Sequence, residues 1–464
     1  MLGSTIPLGI KHLPPPPRFR KLLGPSFILL GLGLGSGEVI LWPYLSSNYG
    51  LGIIWGALIG ITMQFFINME VERYALINGE SVFVGFARLL KFLPAWFIIS
   101  TFLGFGWPGI GLAGAQLLSS VLGISNTHWI AVAIFLLIGT LLTLGKVLYQ
   151  TVEKIQIFLI VLSVPLLTIL TIFLTKSADY STLTRGLVGI GDGFFLLPAG
   201  IAIGTFLGAL AYSGAGGNLN LAQSFYVRDK GYGMGLHADR ITSVFTQGSG
   251  NKEIHLSGST FPINDENIHT FKRWWHLINW EHFFVFWVLG LFTMLTLSLL
   301  AYTTTYGLES NHTGINFVLN EAAVIGQKTT PIIGAILLVV LGVMLSATQM
   351  TVLDSTSRII TENFLLAGRK YKANISLTYY IILWIQIFFG ITVISLGFDQ
   401  PLKLITLGAI INAFSMFGYS ILLIFLNNTL LKKHLRPSIF RNAVMVLIVL
   451  FYGYFCGLVL LRAW

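Results

Sequence analysis

Apolar stretches long enough to cross a bilayer recur along the whole chain, and no other feature restricts its fold so tightly. A lipid core offers the backbone no water to bond, so only helices and closed barrels cross it. Uninterrupted segments of about 20 apolar residues point to helices. Eleven spans are read here, at roughly 25–48, 51–77, 94–123, 128–148, 154–175, 196–226, 278–304, 331–355, 376–398, 402–427 and 441–461. Hydrophobic residues make up 55% of the 464 and charged residues only 10%, against about 25% charged in ordinary globular proteins. The expected fold is an all-α polytopic membrane protein. The single cysteine, Cys456, excludes an intramolecular disulfide and any multi-cysteine metal cluster. No cleavable signal peptide is expected, because the amino-terminal "KHLPPPPRFRK" leads directly into a long span.

The formal charge of +10 marks orientation and not nucleic acid. With the amino terminus placed in the cytoplasm, 23 of the 28 Lys and Arg residues fall inside, and Lys176, Arg185, Lys328, Lys403 and Arg462 fall outside. This is the asymmetry that the positive-inside rule describes. It puts the carboxy terminus outside, in a plasma (inner) membrane, with the lipid bilayer and the substrate as partners, no nucleic acid, and a monomer sufficing.

The chain divides into a cytoplasmic lead-in at 1–23 carrying a stiff tetraproline at 14–17, five spans in 24–175, five more in 176–428, and a loop with one extra span at 429–464. The polar stretch 227–277 suits a cytoplasmic loop with short local structure. Five spans form an odd number, so the second group enters the membrane inverted relative to the first. In inverted-repeat carriers, substrate sits at the midplane between broken helices in corresponding positions. Helices 1 and 6 should therefore both be interrupted.

Both carry a cluster of helix breakers. Helix 1 reads "LGLGLGSGEVILWP" over 30–43, with Gly31, Gly33, Gly35 and Gly37 around Ser36. Helix 6 holds "SGAGGNLN" over 213–220, with Gly214, Gly216 and Gly217. Each glycine inside a helix costs about 0.8–1 kcal/mol relative to alanine. Unwound backbone in a membrane needs a protein or water-lined surrounding, where its carbonyls can hold an ion. Ser36, Glu38, Asn218 and Asn220 stand beside the two clusters. A carboxylate within a span is costly and usually functional, and oxygen ligands suit hard cations such as Mg²⁺, Ca²⁺ or Mn²⁺. The bland alternative is that the glycines only allow close helix packing.

These runs resemble a known family. "GPSFILLGLGLGSGEVILWP" is similar to the first helix of the Nramp (natural resistance-associated macrophage protein) divalent-metal transporters, which opens with Gly-Pro and breaks at Asp-Pro-Gly-Asn. "AGGNLNLAQS" resembles their sixth-helix Met-Pro-His-Asn run, and "QMTVLDSTSRIITENFL" (349–365) their eighth helix. The resemblance, from about 24 to 425, implies a leucine-transporter-type fold of ten helices in two inverted repeats plus one extra. Aligned from Gly-Pro, the family's metal-binding Asp falls on Gly35, its Pro on Ser36 and its Asn on Glu38. Its metal-binding Met falls on Ala215, its Pro on Gly216 and its His on Gly217, while Asn218, Leu219 and Leu221 match. The anionic ligand has thus moved three residues along and the soft sulfur ligand is gone, which weakens selection against Ca²⁺ or Mg²⁺.

The resemblance and the breaks together give a secondary transporter importing a divalent cation (Mg, Mn or Ca, as substrate) by alternating access, with no cofactor and no enzymatic activity. Glu38 would be the charged ligand, Gly35, Ser36 and Ala215 would offer carbonyls, and Asn218, Asn220 and Gln349 side-chain oxygens. Asp354 with Arg358, and Glu70 with Arg73, have helical ion-pair spacing and read as gates or structural pairs. Gln64, Gln116, Asn412 and Ser415 read as interhelical hydrogen bonds, and Trp107-Pro108-Gly109 as a kink in helix 3. A sodium- or proton-coupled carrier of a small organic solute on the same fold remains the alternative.

Overall fold

The structure, a computed structural model, describes residues 7–18, 22, 24–144, 148–239, 254–369, 372–373 and 375–462. Arg20, Lys21, Lys146, Arg240, Lys252 and Lys370, six of the residues assigned to the cytoplasmic side, lie outside the described residues, as does 240–253 of the long loop. Ten helices are long and apolar enough to cross a membrane. They are helix 1 (Pro25–Tyr49), helix 2 (Leu51–Asn78), helix 3 (Leu93–Leu122), helix 4 (Thr127–Leu144) and helix 5 (Tyr149–Leu174), then helix 7 (Asp265–Thr305), helix 8 (Pro331–Ala367), helix 9 (Ile375–Ser395), helix 10 (Pro401–Thr429) and helix 11 (Ile439–Leu461). Helix 6 completes the eleven as two halves, Ile203–Ala211 and Leu219–Lys230, each too short to cross alone.

Helix 7 begins well before its apolar part. Asn264 caps it, its side-chain oxygen accepting the Asn267 N–H at 2.8 Å, which satisfies a donor that the first turn leaves open. The stretch 227–277 is therefore not simply a loop: helix 6 occupies it to Lys230 and helix 7 from Asp265. The tetraproline lead-in is fastened across this region. Gly9–Ile10 pairs in parallel with Ser259–Thr260, and the Trp274 indole N–H donates to the Pro14 carbonyl at 2.7 Å. Helix 3 is split at the expected place, into Leu93–Phe105 and Gly109–Leu122.

Helix 1 corrects the expectation of unwinding. It runs as α-helix over Pro25–Gly35, π-helix over Ser36–Leu41 and α-helix over Trp42–Tyr49. The backbone stays helical through Gly35 and Ser36, so neither offers the carbonyl of an open break. Pro43 gives a reason for the widened turn. Its ring would clash with the carbonyl four residues back in an α-helix, and it has no N–H to donate. A π turn just before it relieves both, and such turns are frequent at functional sites. The glycines serve contact. A methyl group at Gly37 would overlap the Tyr212 carbonyl, one at Gly35 the Thr348 side chain and one at Gly31 that of Gln156; at Gly33 it would press on Gly214.

Helix 6 does unwind. Its helical bonding stops at Ala211 and resumes at Leu219. Gly216 and Gly217 take φ of +74° and +47°, values at which a side chain is strained and glycine is not. Helices 1 and 6 thus cross at their irregular turns, deep in the bundle, where Ile28, Leu29, Ile40, Trp42, Phe206 and Leu219 are fully buried.

Candidate functional site around the irregular turns of helices 1 and 6

Gln64 of helix 2 holds the open backbone of helix 6. Its amide donates to the Ala211 carbonyl at 3.0 Å and its oxygen accepts the Gly216 N–H at 3.1 Å. One side chain so satisfies groups on both sides of the break, which would otherwise be buried without partners. Trp42 of helix 1 donates its indole N–H to Ser213 Oγ at 3.0 Å. Asn412 of helix 10 donates to the Gly104 carbonyl at 3.0 Å and to the Tyr212 hydroxyl at 2.9 Å. Gln64 and Asn412 do more than join helices: they set the geometry of the break.

Asn218 and Asn220 flank the restart of helix 6. The Asn218 amide donates to Ser100 Oγ at 2.8 Å and Thr101 Oγ1 at 2.9 Å, and the Asn220 amide to the Tyr419 hydroxyl at 3.0 Å. Both side-chain oxygens, with that of Asn412, are buried without a partner. Ala215 is buried within the break between Gly214 and Gly216. Gln349 is engaged elsewhere, its oxygen accepting the Gly111 N–H of helix 3 at 3.0 Å.

Glu38 lies on the π turn and is fully buried. It points to helix 7, where Thr293 donates its hydroxyl to Glu38 Oε2, and Oε1 has no partner. No hydrogen bond joins Glu38 to Ala215, Asn218, Asn220 or Gln349 among the described residues. Sequence spacing had placed these groups together. The structure puts Glu38 on the helix 7 side of helix 1 and the asparagines on the helix 3 and helix 10 side of the break. The two sides touch through backbone, Gly33 against Gly214 and Gly37 against Tyr212. Near each lies a cavity of about 10 Å³, about the room of one water, lined by neither Glu38 nor the asparagines. One is lined by Leu34, Thr168, Thr293, Thr296 and Met344, the other by Phe105, Trp107, Tyr212 and Val352. Among the described residues no three of His, Cys, Asp and Glu converge to hold a metal ion. A cation here would rest on one carboxylate with neutral oxygens.

One end of the bundle is closed by buried ion pairs. Arg358 Nε lies 2.9 Å from Asp354 Oδ1, and its terminal nitrogen 2.6 Å from Asp229. Arg228 reaches both Asp229 and Glu362 at 3.1 Å, and Lys230 reaches Glu153 at 2.6 Å. Arg73 lies 2.8 Å from Glu70, which Arg441 also contacts at 3.0 Å. Both candidate pairs are thus parts of networks joining helices 6 and 8, and helices 2 and 11. Glu70, Arg73, Asp354 and Arg358 are all buried. Sequence reasoning passed over Thr293, Ser100, Thr101 and the pair Glu281–His282. That pair sits in the apolar span 278–304 and carried the signal of titratable groups inside a membrane.

Among the described residues, ten membrane-length helices and a divided helix 6, with irregular turns meeting in helices 1 and 6, match the broken-helix arrangement known from inverted-repeat folds. No family model and no curated protein matches the sequence. Solved structures do match in fold. A mutant of the Eremococcus coleocola manganese transporter superposes with a TM-score of 0.68 at 12% identity, covering 97% of this chain and 88% of that one. MhsT in complex with L-phenylalanine gives 0.53 at 14% identity, over 95% of this chain and 98% of its own. Mhp1, a nucleobase-cation-symport-1 family transporter in a closed conformation, gives 0.53 at 12%, over 96% and 94%. The chain is an integral membrane protein with the leucine-transporter-type fold of these transporters.

Proposed function

We propose that this protein is a secondary-active transporter, related to the Nramp proteins, that imports a divalent cation of the hard class, Mg²⁺ or Mn²⁺, by alternating access. The observation that carries this reading is Glu38, a carboxylate on the π turn of helix 1 with one oxygen unpartnered and, among the described residues, Thr293 as its side-chain hydrogen-bond partner. A buried carboxylate needs a partner of opposite charge or a proton, and a cation bound at Oε1 supplies one. Fold likeness to a manganese transporter supports the same substrate class.

Glu38 is the charged ligand in this scheme. The Ala215 carbonyl and the free oxygens of Asn218 and Asn220 join it through the Gly33–Gly214 and Gly37–Tyr212 contacts as helices 1 and 6 rearrange. Gln349 contributes only if it releases the Gly111 N–H. The two five-helix repeats are 24–175 and 176–428. The ion-pair layer faces the cytoplasm of a plasma membrane, with the amino terminus, and the carboxy terminus lies outside. A monomer is the working unit.

The test is uptake of Mn²⁺ into proteoliposomes of purified protein. Saturable uptake that Glu38→Gln lowers at least about tenfold, roughly one 1.4 kcal/mol step of binding, supports the reading; native uptake no higher than in protein-free vesicles, or undiminished in the variant, overturns it. One observation favours an organic solute instead. Phe105 stacks on Tyr212 at 5.8 Å beside the break, an aromatic wall suited to a ring or apolar side chain. Saturable uptake of an amino acid or nucleobase without metal dependence would select that reading.

A further inference from the structure

A second set of buried ionisable side chains lies away from Glu38, between helices 1, 2, 6 and 7. Ser26 is on the first turn of helix 1, Glu72 on helix 2, Gln223 on helix 6, and Glu281 with His282 on helix 7. None of the five is more than 1% exposed. Ser26 Oγ donates to Glu281 Oε2 and lies 2.8 Å from His282 Nδ1. The same imidazole nitrogen is 3.3 Å from Glu72 Oε1, which also accepts the Gln223 amide at 2.7 Å. Phe65 and Phe286 stack on the imidazole at 5.5 and 4.7 Å and hold its plane.

The hydrogens of this string can be assigned. With Glu281 ionised, the Ser26 hydroxyl gives its one proton to Glu281 and accepts from His282. Nδ1 therefore carries a hydrogen, directed at Ser26 and Glu72, and Nε2 is the remaining site on the ring. Nε2, Glu281 Oε1, Glu72 Oε2 and Gln223 Oε1 are all buried without a partner. Arg441 acts on Glu72 and His282 and Lys230 on Glu281 through space, Glu281 also accepts the Gly24 and Ser26 backbone N–H groups, the Tyr232 hydroxyl faces both carboxylates, and the Tyr149 hydroxyl faces Glu281. Both cations are engaged elsewhere, Arg441 with Glu70 and Lys230 with Glu153. Two carboxylates in such a place are poorly compensated unless a proton is shared among them and the imidazole. The set does not close round a metal ion.

Its position ties it to the cation site. Helix 1 bonds helix 7 at two levels, Ser26 with Glu281 and His282, and Glu38 with Thr293. The levels are twelve residues apart on both helices, about 18 Å at 1.5 Å per residue. A tilt of helix 1 against helix 7 about a point between the two levels would open one contact and press on the other. We propose that the Glu72–His282–Ser26–Glu281 string is a proton-binding site, and that its occupancy is linked through this helix pair to the cation at Glu38. The linkage rests on the cation reading above; the proton site does not. The proton comes from water and returns to water, exchanging only O–H and N–H bonds.

Infrared spectroscopy of the purified full-length chain in detergent, titrated between about pH 5 and 9, reads the site directly. A protonated-carboxyl band that titrates in this window is expected. Glu281→Gln should remove it, and Ser26→Ala, which deletes one hydroxyl, should move its midpoint by about one pH unit or more. In the same sample, Mn²⁺ addition should change proton release, read with an indicator dye, and Glu281→Gln should suppress that change while still binding Mn²⁺. Absence of a titrating band, or a band identical in both variants, overturns the proton site even where Mn²⁺ binds. Failure of Mn²⁺ to bind removes the cation reading and the linkage, and the band alone then decides the proton site.

Discussion

Helices 1 and 6 carry similar composition at corresponding places and do different things with it. In helix 1 the glycines alternate with leucine, none takes a positive φ, and each lets a neighbour approach: Gln156, Gly214, Thr348 or the Tyr212 carbonyl. In helix 6 two adjacent glycines take positive φ just ahead of Asn218, and the chain leaves the helix for seven residues, 212–218. Glycine content therefore marks a place where backbone and neighbour are close, and only the φ it adopts says whether the helix opens. The closed helix carries the carboxylate; the open one carries the free amide oxygens. A cation bridging them would hold an anionic ligand on a rigid turn and neutral ligands on a deformable one.

Substitutions can break this contrast. The largest effect is expected at Gly37→Ala, where the added methyl meets the backbone of Tyr212 and not the end of a flexible side chain. Thermal unfolding in detergent should show a loss of about 3 kcal/mol, the upper end for overpacking. If Gly37→Ala is as stable as the native protein, the close contact of the two helices is wrong. Next is Gln64→Ala, which strips partners from the Ala211 carbonyl and the Gly216 N–H at a cost of about 2 kcal/mol. Hydrogen exchange should then rise around 210–217 and stay unchanged around 36–41. Equal protection in both segments would mean that Gln64 does not hold the break.

A smaller, pH-dependent effect belongs to Glu321, on the helix Asn316–Lys328 outside the membrane-spanning segments. Burial pushes its carboxyl up to about 8, and one of its oxygens is unpartnered. A raised carboxyl favours the folded state when protonated. That contribution is complete below the ordinary glutamate range and is lost as pH rises through about 8. Melting temperature should fall across this window in the native protein and stay flat in Glu321→Gln; parallel curves would refute it. The smallest effect, of opposite sign, is Gly457→Ala on helix 11. Nothing lies within 4 Å of the added methyl, so removal of helix-interior glycine should stabilise by about 0.5–1 kcal/mol. A loss at Gly457 similar to that at Gly37 would show that glycine packing does not separate the two positions.

Much of the architecture was legible because hydropathy reports each span separately. Among the described residues ten of the expected spans are helices long and apolar enough to cross a membrane and helix 6 is two half-helices; its break was readable from Gly216, Gly217 and Asn218, whose local chemistry is self-contained. The start of helix 7 was not, since Asp265–Trp280 is polar enough to look like loop while its Asn264 cap and the packing of Phe271 and Trp274 make it helix. The character of helix 1 depended on Tyr212 and Thr348, residues far away in sequence that set what its glycines are for. Glu38 stood out as a lone carboxylate, but its direction is set by Thr293, 255 residues later. Glu72, Gln223, Glu281 and His282 come from three helices, and their meeting is a tertiary fact.

The most direct test of the central claim is calorimetric titration of the purified protein with Mg²⁺, Mn²⁺ and Ca²⁺, beside Glu38→Gln and Thr293→Val. Saturable binding of at least one of these metals, abolished in Glu38→Gln and weakened about tenfold in Thr293→Val, a change of about 1.4 kcal/mol, is the predicted result. Silence from all three metals, or undiminished binding by folded Glu38→Gln, would contradict a cation site on the π turn of helix 1.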